Sequence, residues 1–213
     1  MDQSPPARSV KISDDERGAW SSDRPRRAGD GPQRPRDIST RCRVLSPVDR
    51  MRYSPGSLLV VVSSSEQVRD RFTARVFEEK GLVLAPSALR RLIAGRVPDE
   101  ELEAKAGELL MAMVGKRLEA GESVVVALDG LSAEERDPLA RAATALRRPR
   151  HLILLEAARD DVPEEDRGPL NELRRALDSG ELGAEGFQTA MRLGGGTIDE
   201  LKRIVFRPAP KED

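Results

Sequence analysis

The chain has 213 residues, 36 Lys and Arg against 37 Asp and Glu, a net charge of −1 and only 3% aromatic residues, which fits one domain of ordinary size plus a tail, with a core of Leu, Val and Ala. One cysteine, Cys42, excludes an intramolecular disulfide framework and a multi-cysteine metal site, and the one histidine, His151, sits between Arg150 and an apolar run, so no catalytic pair or zinc site built on histidine is expected. Apolar runs such as Leu58 to Val62 are far short of a membrane span, and the N-terminus has no apolar leader, so a cytoplasmic protein without membrane contact is expected.

Charge is unevenly spread, with 12 basic and 8 acidic residues in positions 1–54 and 24 against 29 in the remainder. Pro5, Pro6, Pro25, Pro32, Pro35 and Pro47 interrupt that first segment, aliphatics are few, and no period is sustained. It reads as a disordered Pro/Arg-rich tail over 1–54, with Val44 to Tyr53 as a short lead-in against the domain edge. Such a tail could meet nucleic acid or an acidic partner through counterion release. Aspartates punctuate it, however, and no aromatics interleave it for stacking, which is the pattern of a solvated linker. Trp20 is read as an isolated exposed aromatic.

From Pro55 the character changes. Leu58 to Val62 predicts a central parallel strand, buried on both faces. Val68, Phe72, Val76 and Phe77 follow at the spacing of one helical face, closed by Lys80-Gly81. Gly81 to Leu84 predicts a second strand and Pro86 to Ala94 a short helix. Asp99 to Ala120 carries Leu102, Ala106, Leu109, Leu110, Met113, Val114 and Leu118 on one stripe, a long helix ended by Gly121. Ser123 to Leu128 is a third strand, running into Asp129-Gly130. Ser132-Ala-Glu-Glu135 is a capping box opening a helix that closes at Pro149, and His151 to Leu155 is the fourth strand. Asp160 to Gly168 reads as an acidic loop and Leu170 to Leu177 as a helix. Phe187 to Leu193 reads as the fifth strand. Thr197-Ile-Asp-Glu200 is a further capping box starting a helix to about Arg203, and Ile204 to Phe206 a terminal strand or extended tail. Strands alternating with helices predict a three-layer α/β/α parallel sheet over 55–207, with 208–213 frayed.

This succession, from Ser57 to about Arg207, resembles the P-loop kinase superfamily, in particular the bacterial polynucleotide-kinase-like and zeta-toxin-like branch of AAA-family ATPases. The resemblance is carried by Ser57 to Phe77, by Leu82 to Arg90, by Lys116 to Val126 running into Leu128 to Leu139, and by Glu185-Gly-Phe187. It implies a phosphate loop G-x-x-x-x-G-K-[ST] after the first strand, in which glycine amides and the lysine hold phosphates and the hydroxyl holds magnesium. That frame falls on Ser63, Val68, Arg69 and Asp70, and all four signature positions differ. Ser63-Ser64-Ser65-Glu66 instead reads as a capping box, which satisfies the amides with the protein's own side chains.

The resemblance also implies an acceptor-activating aspartate after the second strand, where Ser87 stands with Arg90 three residues on. It implies a magnesium aspartate at the end of the third strand, where Ala127 stands with Asp129 two residues on. The basic lid reduces to Arg167, Arg174 and Arg175. The expected function is a catalytically degenerate kinase-like module that binds or scaffolds a protein partner, without a cofactor or a metal. One alternative is a divergent kinase using ATP and magnesium on a nucleic-acid end or small hydroxyl substrate, through Arg69, Asp70, Asp129, Arg90 and Arg174. The other is a nucleic-acid-binding protein relying on the basic tail.

Overall fold

The computed structural model describes residues 37–208; the tail reading over 1–36, Trp20 included, and the frayed end over 209–213 lie outside them. In chain order the strands are β1 Arg43–Leu45, β2 Arg50–Tyr53, β3 Leu58–Ser63, β4 Val83–Leu84, β5 Val124–Leu128, β6 Arg150–Glu156, β7 Thr189–Gly194 and β8 Arg203–Phe206. The helices are α1 Glu66–Val76, α2 Pro86–Ile93, α3 Leu102–Glu119, α4 Ala133–Ala145, α5 Glu164–Ser179 and α6 Gly196–Glu200. Six strands form one parallel sheet in the order β1-β7-β6-β3-β5-β4, and β2 pairs with β8, also in parallel, as a separate ribbon.

The centre of the sheet consists of β3, β5 and β6, whose residues are buried almost without exception. Their unbroken Val and Leu runs suit strands covered on both faces, where alternation would leave polar groups without water. Because side chains alternate, Leu58, Val60, Val62, Val126 and Leu152 pack on one face with Leu110, Val114 and Leu118 of α3, Leu139 of α4 and Leu173 of α5. Leu59, Val61, Val125, Ile153 and Met191 pack on the other with Phe72 and Val76 of α1 and with Met51, Tyr53 and Ile204 of the ribbon. The result is the three-layer α/β/α arrangement, with part of one outer layer built from strands.

Four differences from the sequence reading have local causes. The lead-in expected over Val44 to Tyr53 does pack on the domain, but as two paired strands in chain already held from Thr40: Thr40 N–H donates to the Gly183 carbonyl, β1 pairs with β7, and β2 buries Met51 and Tyr53 while Arg50 and Arg52 face out. Helix α5 begins at Glu164, inside the segment read as an acidic loop, because Glu164, Glu165 and Asp166 fill its first turn and favour the positive end of the helix dipole. Thr197 does not cap α6; its hydroxyl accepts from Gly194 N–H and donates to the Gly194 carbonyl, so the helix starts at Gly196. That helix ends at Glu200, and Arg203 already belongs to β8, paired residue for residue with β2 from Arg50 to Tyr53.

Candidate functional site

The chain leaves β3 toward the β4 edge and leaves β6 toward the β7 edge. The adjacent carboxyl ends of β3 and β6 therefore mark the reversal of winding, where open α/β sheets bind ligands. The connection out of β3 is very short: the strand ends at Ser63 and α1 begins at Glu66, leaving Ser64 and Ser65 between them. The N-cap is Ser65 rather than Ser63. Its Oγ accepts from Val68 N–H at 3.4 Å, its carbonyl accepts from Arg69 N–H, and its own N–H donates to Ser63 Oγ at 3.2 Å. Ser63 cannot cap because it is still held in the sheet, in register with Leu155. Glu66 thus opens the helix instead of closing a capping box, and Val68, Arg69 and Asp70 all lie within α1.

Arg69 is 1% exposed and its guanidinium turns inward. One amino group donates to the Leu128 carbonyl at 2.7 Å and reaches Asp129 Oδ1 at 2.8 Å, while the other lies 3.3 Å from Asp70 and 3.7 Å from Glu66. Asp129 in turn accepts from Arg90 at 2.5 Å, and Arg90 pairs with Glu103 of α3 at 3.1 Å. The sequence-predicted residues Arg69, Asp70, Arg90 and Asp129 are therefore brought together, as one chain of ion pairs tying α1, α2 and α3 to the end of β5. In this chain Arg69 and Arg90 face Glu66, Asp70, Glu103 and Asp129. A polyphosphate approaching it would meet an excess of negative charge.

Glu135 adds to that excess. Its carboxylate lies against Gly130, at a spot that a Cβ on that glycine would occupy. Burial pushes its pKa up; Arg136 opposes the rise, and Asp129, Glu103 and Glu134 add to it. Ser87, where the resemblance led us to expect an acceptor-activating aspartate, has a buried hydroxyl without a hydrogen-bond partner, as has Ser64 in the turn. Neither hydroxyl is hydrogen-bonded to a base that could activate it.

Arg174 stands apart from this network. It donates to Glu156 Oε1 at 2.6 Å and to Asn171 at 3.1 Å, and Arg192 lies 3.8 Å from the same Glu156 oxygen. Of the other lid candidates, Arg167 pairs with Glu164 and shares a cleft with Arg174, whereas Arg175 is exposed. Glu156 was not anticipated from sequence, although as the last residue of an apolar strand it sits where sheet ends project side chains toward a ligand. Beside it opens a cleft of about 580 Å³ lined by residues including Val68, Glu156, Asp161, Arg192 and Thr197, and a second of about 380 Å³ lies between Arg159, Arg167 and Arg174. A second buried ion pair, also unanticipated, joins Arg136 of α4 to both oxygens of Glu185 at 2.8 Å, with Arg136 also donating to the Leu131 carbonyl. Among the described residues no group of three or more His, Cys, Asp or Glu is arranged to hold a metal ion.

No family model matches the chain, and no curated protein matches it. Among solved structures, a candidate kinase from Chloroflexus aurantiacus j-10-fl is similar over 68% of this chain and 88% of its own, at 14% identity and a TM-score of 0.43. A tunicamycin resistance protein from Deinococcus radiodurans is similar over 67% of this chain and 90% of its own, at 15% identity and a TM-score of 0.38. Likeness at this level says nothing about the chemistry of this chain.

Proposed function

We propose that this is a kinase-like α/β protein whose phosphate loop has closed into a helix cap, and which acts as a binding or scaffolding module for a protein partner rather than as a phosphotransferase. The observation that carries this reading is the link from β3 to α1, with Ser64 and Ser65 alone between the elements and Arg69 buried against Leu128 and Asp129. Phosphoryl transfer depends on positioning and on stabilising charge on the transferred group. The amides of Ser65, Val68 and Arg69 are satisfied within the turn, and the cation at the lysine position is engaged by carboxylates. Both leave little for a triphosphate. The test is transfer of labelled phosphate from magnesium ATP to a panel of nucleic-acid ends and small alcohols. The expected result is no transfer above background, and transfer that disappears in Asp129→Ala would overturn the reading.

A further inference from the structure

The chain's single histidine lies far from the β3–α1 turn in register, at the amino end of β6. His151 is 7% exposed. Its Nδ1 shares a 2.8 Å hydrogen bond with Thr189 Oγ1, and its Nε2 is buried without a partner. The ring of Tyr53, on β2, covers it with centroids 4.4 Å apart, and the Tyr53 hydroxyl is likewise buried without a partner. Phe206 of β8 follows at 6.0 Å from Tyr53, and Phe77, just past α1, at 6.5 Å from Phe206. This run of rings seats the β2–β8 ribbon on the main sheet.

We propose that the ribbon is an acid-released clasp, in which protonation of His151 unseats Tyr53 and lifts β2 and β8 from the six-stranded sheet while that sheet stays intact. The neutral ring tolerates burial because Thr189 satisfies one nitrogen. A second proton turns Nε2 into a charged donor with nothing to accept from it, and a buried charge without a partner is expensive. The surrounding groups offer no relief. Leu59 of β3 and Thr189 of β7 stand beside His151 in the register, and Tyr53 of β2 is a phenol kept neutral by burial. On β8, Phe206 contacts Tyr53, and Arg203 is held by Glu78. The neighbouring charge is Arg150, of the same sign. Burial first, and Arg150 second, push the histidine pKa down from its ordinary 6.5 to about 4. A released ring titrates near its ordinary value, so the lifted state binds the proton first as the pH falls.

The experiment is hydrogen exchange by mass spectrometry on the full chain at pH 7 and pH 5, corrected for intrinsic exchange rates. Linkage at these pKa values predicts that opening of the clasp becomes about 20-fold more frequent at pH 5, seen in peptides covering β2 and β8 and not in those covering β3, β5 and β6. His151→Phe keeps a stacking ring without a proton and should remove the pH response. His151→Gln provides the same readout if the phenylalanine variant does not fold. A uniform gain of exchange across all strands, or an unchanged pH response in the variants, would overturn the proposal.

Discussion

Replacing Arg69 with methionine keeps most of the buried stem and removes the guanidinium, and it is expected to cost about 2–4 kcal/mol of folding stability. The Leu128 carbonyl, now bonded at 2.7 Å, would be left without its donor in the interior, worth about 1–3 kcal/mol. Breaking a buried ion pair by removing one partner costs about 3–5 kcal/mol when the other charge is fully buried. Asp129 is 33% exposed and keeps Arg90 at 2.5 Å, so only a fraction of that applies. For a domain of this size the sum corresponds to a melting temperature lowered by about 5–15 °C, read by circular dichroism. A double-mutant cycle with Asp129→Ala should show coupling of about 1 kcal/mol or more. If Arg69→Met melted at the same temperature as the natural chain, the guanidinium would not be a structural pin. It would then be available to a ligand, and the reasoning about the closed turn would fail.

Arg136→Leu leaves Glu185 and the Leu131 carbonyl without their partner and is expected to destabilise by about 2–4 kcal/mol, measured by urea unfolding. Gly183→Ala places a methyl group against the backbone carbonyl of Thr40, so limited proteolysis should cut the segment before β1 faster than in the natural chain. A truncation beginning at Pro55 removes Met51 and Tyr53 from the core and should lower the melting temperature; a test of nucleic-acid binding by the basic tail therefore needs a cut that retains Asp37 onward. Stability should fall as the pH drops from about 6.5 to about 4. In that window the unfolded chain binds a proton at His151 that the folded chain excludes, a loss approaching about 3 kcal/mol that His151→Phe should abolish in pH-dependent thermal melts.

The centre of the sheet was legible because β3, β5 and β6 are unbroken apolar runs bounded by Gly, Ser, Asp and Pro, and α3 because its stripe recurs at helical spacing over many turns. The edges were less so. Arg50-Met51-Arg52-Tyr53 does alternate, but it lies between Pro47 and Pro55 in a segment whose composition points to disorder, and its partner β8 is distant in sequence. The start of α5 was obscured by the acidic run from Asp160 to Gly168 and by Pro163, which reads as a loop proline but is the N-cap of that helix. At the candidate site it was visible residue by residue that Ser63, Val68, Arg69 and Asp70 do not spell the phosphate-binding pattern that the resemblance implies. The inward turn of Arg69 was not, because a charged residue beside an apolar stripe is normally solvated. A stripe read as Arg69, Phe72, Thr73 and Val76, the buried set, would have placed it inside. The shift of the cap from Ser63 to Ser65 depends on how far the β3–β6 ladder runs, which is a property of the paired strands and not of the serines.

Isothermal titration of the full chain with magnesium ATP measures most directly whether the turn after β3 has closed. Closure predicts no saturable heat up to millimolar nucleotide, for the natural chain and for Ser65→Ala alike. Saturable binding at micromolar concentration, lost in Arg69→Met, would contradict it.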